Sequence, residues 1–290
     1  MKVKRLLTYL EYLIISGILI FFLFIGITAD AGFESKTFTD PQGWTINREF
    51  IPHSKDSNKK FELFWTKPTS EGTYPAILFI HGHQENVRNG GEFLVDVGRL
   101  GKMANLGYVA AAISQPGYGN SDGPPDYCGP FTQDAVLDAI DFLRTRPFVK
   151  QDKIALFGYS RGAIVASMVA TKDQKLGAVI LAAGAYDFPK WFPTNNPGIN
   201  ANIRKEAGTS SSAFTDRSAL YHAEKITSPV LLLHGAQDDR IPARQAKKFA
   251  EKLNAQGNSI KIVVLPRTGH GIPVDMIDRE MFPFLEEFLQ

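Results

Sequence analysis

The apolar residues of this chain fall into short runs, separated by segments in which apolar residues recur at helical spacing. Short apolar runs are typical of buried strands, and we predict eight of them, at 44–51, 60–66, 76–80, 108–113, 154–157, 178–182, 230–233 and 260–265. Apolar residues repeat every three to four positions in three intervening segments, which predicts helices at 91–106, 132–144 and 243–256. This alternation predicts an α/β domain whose mostly parallel sheet is covered by helices on both faces.

Residues 183–228 depart from the alternating pattern. The segment contains three prolines and several aromatic residues, and it is long for a connection without structure of its own, which is typical of a functional loop or lid. We interpret it as a small cap insertion. Its aromatic residues, among them Trp191 and Phe192, either line an acyl pocket as substrate-binding residues or only seat the cap on the body of the domain.

The amino-terminal segment has a different composition. Three basic residues among the first five precede residues 13–29, which contain no charged residue, and this pattern is typical of an export signal. Ala29-Asp30-Ala31 fits a signal-peptidase site, whereas residues 6–29 are almost long enough to span a bilayer, which takes about 20 residues.

We therefore expect residues 1–31 to be a cleaved signal peptide or a membrane anchor, and residues 32–290 to form one domain. The positive-inside rule places that domain outside the cytoplasm, in the cell envelope or the extracellular space. A buried amino-terminal helix is the alternative, and it would need an apolar surface on almost every side.

Charge and cysteine content restrict the possible partners. The chain has 32 basic and 30 acidic residues and a formal net charge of +2, which is too balanced to indicate nucleic acid as a partner. The single cysteine, Cys128, excludes an intrachain disulfide and a cysteine cluster for structural zinc. We expect Cys128 to be a small, partly buried loop residue.

The stretch at 154–170 has the order strand, sharp turn, helix. Four apolar residues precede Gly-Tyr-Ser-Arg-Gly at 158–162, and small and apolar residues at helical spacing follow. In this context a G-x-S-x-G motif places the serine hydroxyl at the carboxyl end of the sheet. We predict that Ser160 is a catalytic nucleophile and that Tyr159 contacts substrate; a purely structural turn is the alternative.

A serine nucleophile needs a general base within hydrogen-bond reach. His270 follows the last predicted strand in a glycine-flanked loop, at the sheet edge where open α/β sheets bind their ligands. His81 and His234 instead end strands just before glycines, where a ring usually makes local hydrogen bonds. We predict that His270 takes the proton of Ser160.

Two adjacent carboxylates, Asp238 and Asp239, follow the strand at 230–233. A buried carboxylate that accepts the proton of the second ring nitrogen would fix the tautomer of His270 and stabilise the imidazolium. Neighbouring residues on a turn point in different directions, so only one of the two can do this. The residues alone do not show which of the two is the acid.

The oxyanion of the tetrahedral intermediate needs backbone N–H donors. One is expected from the residue after the nucleophile, Arg161, and another from a loop after an earlier strand. The strand at 76–80 leads into His81-Gly82-His83-Gln84, which predicts the N–H of His83 as the second donor. Removal of one such donor costs about 3 kcal/mol of transition-state stabilisation.

The motifs GYSRG at 158–162, HGAQDDRIP at 234–242 and TGHG at 268–271 follow one another in the chain order Ser, Asp, His. Together they resemble the α/β-hydrolase family, most of all its prolyl-oligopeptidase and dienelactone-hydrolase branches, over about residues 44–290. The resemblance implies an α/β-hydrolase fold. Oligopeptidases of this family also carry an amino-terminal propeller, which we do not expect here because only residues 1–43 precede the first predicted strand. The resemblance also assigns Asp238 as the acid, because the family's acid lies four residues before the proline of D-x-x-[IV]-P.

We therefore expect a serine hydrolase that cleaves an ester, thioester or amide through an acyl-enzyme, without a metal or organic cofactor. The expected substrate is a small molecule or a peptide. A carboxylesterase-like enzyme is the first interpretation, and a serine peptidase of the prolyl-oligopeptidase type is the alternative. A non-catalytic binding module would lack a triad residue, and none is missing. A metal site begun by His81 and His83 lacks a second cluster at ligand spacing.

Overall fold

A sheet of nine strands runs through the residues that the computed structural model describes, 34–85 and 88–290. The strands are β1 (Lys36–Thr39), β2 (Thr45–His53), β3 (Asp56–Thr66), β4 (Tyr74–Ile80), β5 (Val109–Ile113), β6 (Val149–Tyr159), β7 (Ala178–Ala182), β8 (Val230–Gly235) and β9 (Ile260–Leu265). They lie in the order β1-β2-β3-β5-β4-β6-β7-β8-β9. The pairs β1–β2, β2–β3 and β3–β5 are antiparallel, and all pairs from β5 to β9 are parallel.

Helices connect the strands within the same described part of the chain. They are α1 (Glu92–Asp96), α2 (Arg99–Asn105), α3 (Pro130–Arg144), α4 (Arg161–Ala170), α5 (Phe188–Trp191), α6 (Pro197–Glu206), α7 (Ser211–Thr215), α8 (Arg244–Ala255) and α9 (Val274–Leu289), with a 3₁₀ segment at Ala219–Lys225. The segment predicted as a cap contains α5, α6, α7 and the 3₁₀ segment.

The alternation of side chains along β4 divides the hydrophobic core into two layers. Leu78 and Ile80 pack with side chains of α3, α4 and α8 on one face of the sheet. Ile77 and Phe79 pack with side chains of α2 and α9 on the other face. Because successive side chains of a strand point to opposite faces, an uninterrupted apolar run belongs in a sheet buried on both sides. The predicted α/β class and the two covered faces are confirmed.

The structure corrects the predicted elements in three places. Within the described residues the sheet has nine strands, one more than predicted. The prediction missed the edge strand β1 because it has only one apolar residue and pairs with β2 alone. The helix predicted at 91–106 is two helices, since Gly98 between them has φ of +69°. The helix α9 was not predicted, although Ile277, Met281 and Phe284 are buried at helical spacing.

The prediction for residues 1–31 lies outside the described residues. Residues Ser35–Gln290 form one compact unit. Within the described ranges, every helix is too short or too polar to cross a bilayer. The boundary between an amino-terminal segment and the domain at residue 32 stays a prediction.

Two glycines allow β6, α4 and the loop after β4 to meet at the serine turn. A Cβ on Gly158 would overlap the carbonyl oxygen of Gly162, and a Cβ on Gly162 would overlap the carbonyl oxygen of Ile80. These neighbours are backbone atoms of buried elements, so they cannot move aside as a flexible side chain would. The glycines of the G-x-S-x-G motif therefore determine how closely the nucleophile's turn approaches the end of β4.

We expect Gly162→Ala to lower the free energy of unfolding by about 2 kcal/mol, because overpacking in a buried site forces the backbone apart. Urea unfolding followed by circular dichroism measures the change. Gly271→Ala is the matched control, since its Cβ would meet nothing within 4 Å. Equal urea midpoints for the two variants would contradict this account of the turn.

Candidate active site

Three loops at the carboxyl ends of parallel strands bring the predicted catalytic side chains together. Ser160 follows β6, Asp238 lies in the loop after β8, and His270 lies in the loop after β9. Strands β6 to β9 are neighbours and parallel, so these loops share one edge of the sheet.

The backbone holds Ser160 in a conformation that L residues rarely adopt. Its φ is +52° and its ψ is −114°, and it lies at the N-cap position of α4. Its N–H donates to the carbonyl oxygen of Ala182 at 2.8 Å, which anchors the turn to the end of β7. Such a strained strand-to-helix turn exposes the serine hydroxyl above the sheet.

A continuous chain of hydrogen bonds joins the three side chains. The Oγ of Ser160 lies 2.8 Å from Nε2 of His270, and Nδ1 of His270 lies 2.8 Å from Oδ2 of Asp238. The ionised carboxylate can only accept, so Nδ1 carries the proton and Nε2 is left to accept from the serine hydroxyl. This arrangement suits proton transfer from Ser160 to His270.

Tyr159 holds the loop that carries His270. Its hydroxyl donates to the carbonyl oxygen of His270 at 2.5 Å and accepts from the N–H of Ile272 at 2.9 Å. The residue before the nucleophile thus fixes the backbone on both sides of Gly271. Its predicted contact with substrate stays a prediction, whereas this positioning contact was not foreseen from the sequence.

The carboxylate of Asp238 is buried and fully surrounded by donors. Oδ1 accepts from the N–H groups of Arg240 and Ile241 at 3.0 and 2.8 Å, and Oδ2 also lies 3.3 Å from Nε2 of the buried His234. Burial by itself would raise the pKa of Asp238, but the hydrogen bonds from His234, His270 and Ile241 outweigh it and hold the pKa well below its ordinary value of 3.8. Asp239 is exposed, so the structure places Asp238 and not its neighbour against His270.

The loop after β4 lies directly against the nucleophile. A Cβ built on Gly82 would lie 3.5 Å from the Cβ of Ser160, which puts the following residue, His83, beside the site. Arg161 is the first residue of α4, so its N–H is among those that have no acceptor within the helix. The positive end of the helix dipole adds to this donor. Both predicted oxyanion donors border Ser160, and their role stays a prediction.

His81 is occupied by local hydrogen bonds. Its Nδ1 donates to the carbonyl oxygen of Gly82 at 2.7 Å, and its Nε2 accepts from the N–H of Gln115 at 3.1 Å. Burial lowers the pKa of His81 to about 4, so the ring is neutral at pH 7 and serves to shape the loop. Among the described residues no group of three or more His, Cys, Asp or Glu side chains is arranged to hold a metal ion.

The side chain of Arg161 links the cap to the body of the domain, a contact that could not be predicted from the sequence. It is 3% exposed and pairs at 2.7 Å with Glu206 of α6, whose side chain is 6% exposed. Its guanidinium lies 4.7 Å from the ring centre of Tyr127 and 3.4 Å from the hydroxyl of Tyr118. The same hydroxyl lies 2.9 Å from Nδ1 of His83, so the cap and the oxyanion loop share one polar network.

The aromatic residues of the cap do not reach the cavity beside the site. Trp191 is 5% exposed and its indole N–H donates to the carbonyl oxygen of Arg240 at 2.9 Å. The ring of Phe192 packs on Phe214 with centroids 5.2 Å apart. Neither lines the cavity of about 580 Å³ that borders Tyr159 and His83. Trp191 therefore joins the cap to the body, and Phe192 packs within the cap. Their predicted contact with substrate stays a prediction.

Cys128 is fully buried, more so than the sequence suggested. Its Sγ lies 3.3 Å from the carbonyl oxygen of Arg161. Burial raises the pKa of the Cys128 thiol to about 12, so the group stays protonated and unreactive at neutral pH.

We expect Asp238→Asn to change the acid dependence of stability. A carboxylate whose folded pKa is depressed contributes stability that is complete above its unfolded pKa and is lost as the pH falls through the folded value. The wild type should therefore lose unfolding free energy from about pH 5 downward, and the variant should lose less over the same range. Urea titrations between pH 6 and pH 3 measure the two slopes.

Asp239→Asn is the matched control, because it removes the adjacent carboxylate, which is exposed. Its unfolding free energy should depend on pH as that of the wild type does. The same pH dependence in all three proteins would show that the hydrogen bonds around Asp238 do not stabilise its ionised form.

Comparisons with known proteins identify relatives of this chain. Acylamino-acid-releasing enzyme 1 of Oryza sativa subsp. japonica is 26% identical over 262 residues, covering 80% of this chain and 33% of that protein. The chain therefore spans about a third of that relative's length.

Two solved structures share the fold at identities of 20% or less. The acylaminoacyl peptidase of Pyrococcus horikoshii matches with a TM-score of 0.67 and 20% identity, over 89% of this chain and 42% of that one. Acetyl xylan esterase from Paenibacillus sp. R4 matches with a TM-score of 0.68 and 18% identity, over 88% of each chain.

A family model extends the match to the site itself. The model of the prolyl oligopeptidase family covers residues 125–290, which include Ser160, Asp238 and His270. Since this is more than half of the sequence, the resemblance seen in the motifs is confirmed, and the chain belongs to the prolyl oligopeptidase family.

Proposed function

We propose that this protein is a serine hydrolase that transfers an acyl group from an ester, thioester or amide to water. The observation that carries the proposal is the hydrogen-bonded chain from Ser160 through His270 to Asp238, with both links at 2.8 Å. Nucleophile, base and orienting carboxylate in this geometry are the parts that acyl transfer requires.

The proposed reaction proceeds in two steps. His270 takes the hydroxyl proton of Ser160 as the oxygen attacks the substrate carbonyl, and the N–H groups of Arg161 and His83 bind the oxyanion. His270 then donates that proton to the leaving atom, which leaves an acyl-enzyme on Ser160. Water repeats the sequence: it gives a proton to His270, attacks the acyl carbon, and releases the acid as Ser160 regains its proton.

An ester substrate is the first choice within this reaction class. The fold is shared with an acetyl xylan esterase, whose name supports an ester, and with an acylaminoacyl peptidase, whose name supports an amide. Peptidase activity is the second candidate, and the match to the prolyl oligopeptidase family model favours it. The two differ in leaving group, so matched p-nitrophenyl ester and p-nitroanilide substrates distinguish them.

We expect a fluorophosphonate probe to add once to the wild-type protein and not to Ser160→Ala, as measured by intact mass. The same substitution should lower kcat/KM for p-nitrophenyl acetate by about 10⁴-fold or more, since the triad acts as a unit. Ser167→Ala is the matched control, because that buried serine lies in the same helix and its hydroxyl donates to the carbonyl oxygen of Ile164.

Labelling should persist in Ser167→Ala. A folded wild-type protein that takes up no probe and hydrolyses neither ester nor anilide would overturn the hydrolase proposal and favour a binding module on the same fold. Labelling that survives in Ser160→Ala would assign the reactive serine elsewhere.

We also propose that the domain acts outside the cytoplasm, anchored or released by residues 1–31. The basic residues 2, 4 and 5 and the uncharged run at 13–29 support this proposal. When the full chain is expressed in a bacterium, we expect it in the envelope or the secreted fraction. Amino-terminal sequencing then separates cleavage after Ala31 from retention, and a cytoplasmic full-length product would contradict export.

A further inference from the structure

A cleft of about 580 Å³ extends from the predicted oxyanion loop, away from the cap. Its inner end is formed by Gly82, His83 and Tyr159, which adjoin the nucleophile, and by Ile272, two residues after His270. We call it the apolar cleft. Its volume lies within the range of ligand sites, about 300 to 1,000 Å³. Ser160 and His270 do not line it, but Tyr159 and Gly82 in its wall are neighbours of Ser160 in the chain and in space, respectively.

The outer walls of the apolar cleft expose large hydrophobic side chains to solvent. Phe93, Val97 and Val274 line it and are 48%, 56% and 61% exposed. They make up half of the six large hydrophobic residues that are exposed in the described part of the chain. Exposed apolar side chains scattered singly need no explanation, but a cluster lining one cleft indicates a binding surface.

The charges at the far end of the apolar cleft disfavour a cationic ligand. Arg99 and Lys102 line it, and both pair with the single carboxylate of Asp278, at 2.6 and 2.7 Å. Two cations and one anion leave a net positive charge there. A ligand group that carries a positive charge would be repelled, whereas an uncharged apolar group would gain burial.

The side of the site that faces the cap carries a buried ion pair. Arg161 and Glu206 pair there, and the ring of Tyr127, 6% exposed, packs against the guanidinium. A bulky apolar group entering there would have to break a buried ion pair, which is costly because it leaves an uncompensated charge. The apolar cleft therefore remains as the place for such a group.

We propose that the apolar cleft binds an uncharged apolar group of the substrate, an alkyl chain or an aromatic ring, attached on one side of the scissile bond. The inference rests on the acyl-transfer function proposed above and names its substrate class. Phe93, Val97 and Val274 are specificity-determining residues in this account, and the triad is untouched by them.

Two ester series test the proposal with the full chain. One is p-nitrophenyl acetate to octanoate, in which the acyl group grows; the other is the acetates of ethanol to octanol, in which the leaving group grows. In one series kcat/KM should rise by up to about fourfold for each added CH₂ that is buried. Phe93→Ser and Val97→Ser should flatten that rise and leave the shortest ester unaffected.

Val97→Trp tests volume independently of polarity. It should abolish the gain for the longest substrates while the shortest ester is hydrolysed at the wild-type rate. Leu106→Ser is the matched control, since Leu106 is 42% exposed and lies outside the apolar cleft. It should keep the wild-type slope in both series.

The cleft binds the side of the scissile bond that grows in the series whose dependence of kcat/KM on chain length changes in the variants. Slopes unchanged by all three cleft substitutions, in a protein that still takes up the fluorophosphonate probe, would overturn this inference and leave the proposed function standing. Absence of both labelling and ester hydrolysis would overturn the proposed function and this inference with it.

Discussion

The close backbone contact at the turn after β6 is the constraint on which the site depends. Gly162 lies against the carbonyl oxygen of Ile80, and Gly158 against that of Gly162. Because no side chain separates these backbones, the strained turn at Ser160 lies directly beside the end of β4. The same contact brings Gly82 next to Ser160, so it positions both the serine hydroxyl and the loop that is predicted to bind the oxyanion.

The site stabilises a buried negative charge chiefly by hydrogen bonds. Asp238 accepts from two backbone N–H groups and faces two histidine rings. A carboxylate so surrounded stays ionised despite its burial, and only an ionised carboxylate fixes His270 in the tautomer that can accept from Ser160. The second histidine, His234, also donates to the carbonyl oxygen of Ile241 and so fixes the turn that presents Asp238.

The two sides of the nucleophile differ in chemistry. On the side of the cap, the ion pair of Arg161 and Glu206 is buried and joins the cap to the body of the domain. On the other side, short helices and the loop after His270 leave an open apolar surface. Side chains that are apolar and exposed gain free energy when a ligand covers them, which makes this side the place where the fold can select a substrate.

Local sequence determined the elements whose signal is continuous along the chain. The apolar runs predicted eight of the nine strands, and an apolar run before Gly-Tyr-Ser-Arg-Gly predicted the turn at Ser160, because both depend on neighbouring residues. The edge strand β1 was not predicted, since one apolar residue among four forms no recognisable strand pattern. The helix α9 was not predicted although its apolar residues recur at helical spacing, because Pro283 within it is unfavourable for a helix.

Tertiary structure decided what depends on residues far apart in the chain. The residues alone did not show whether Asp238 or Asp239 is the acid, and only the family resemblance favoured Asp238. In the folded chain Asp238 is buried against His270, whereas Asp239 is exposed. The contact of Arg161 with Glu206 spans 45 positions, and the apolar cleft is built from segments near residues 80, 95 and 275. Periodicity indicates which face of an element is buried, whereas packing fixes the partner on that face. The sequence by itself therefore predicted the strand, the turn and the helix around Ser160, and only the fold determined what surrounds them.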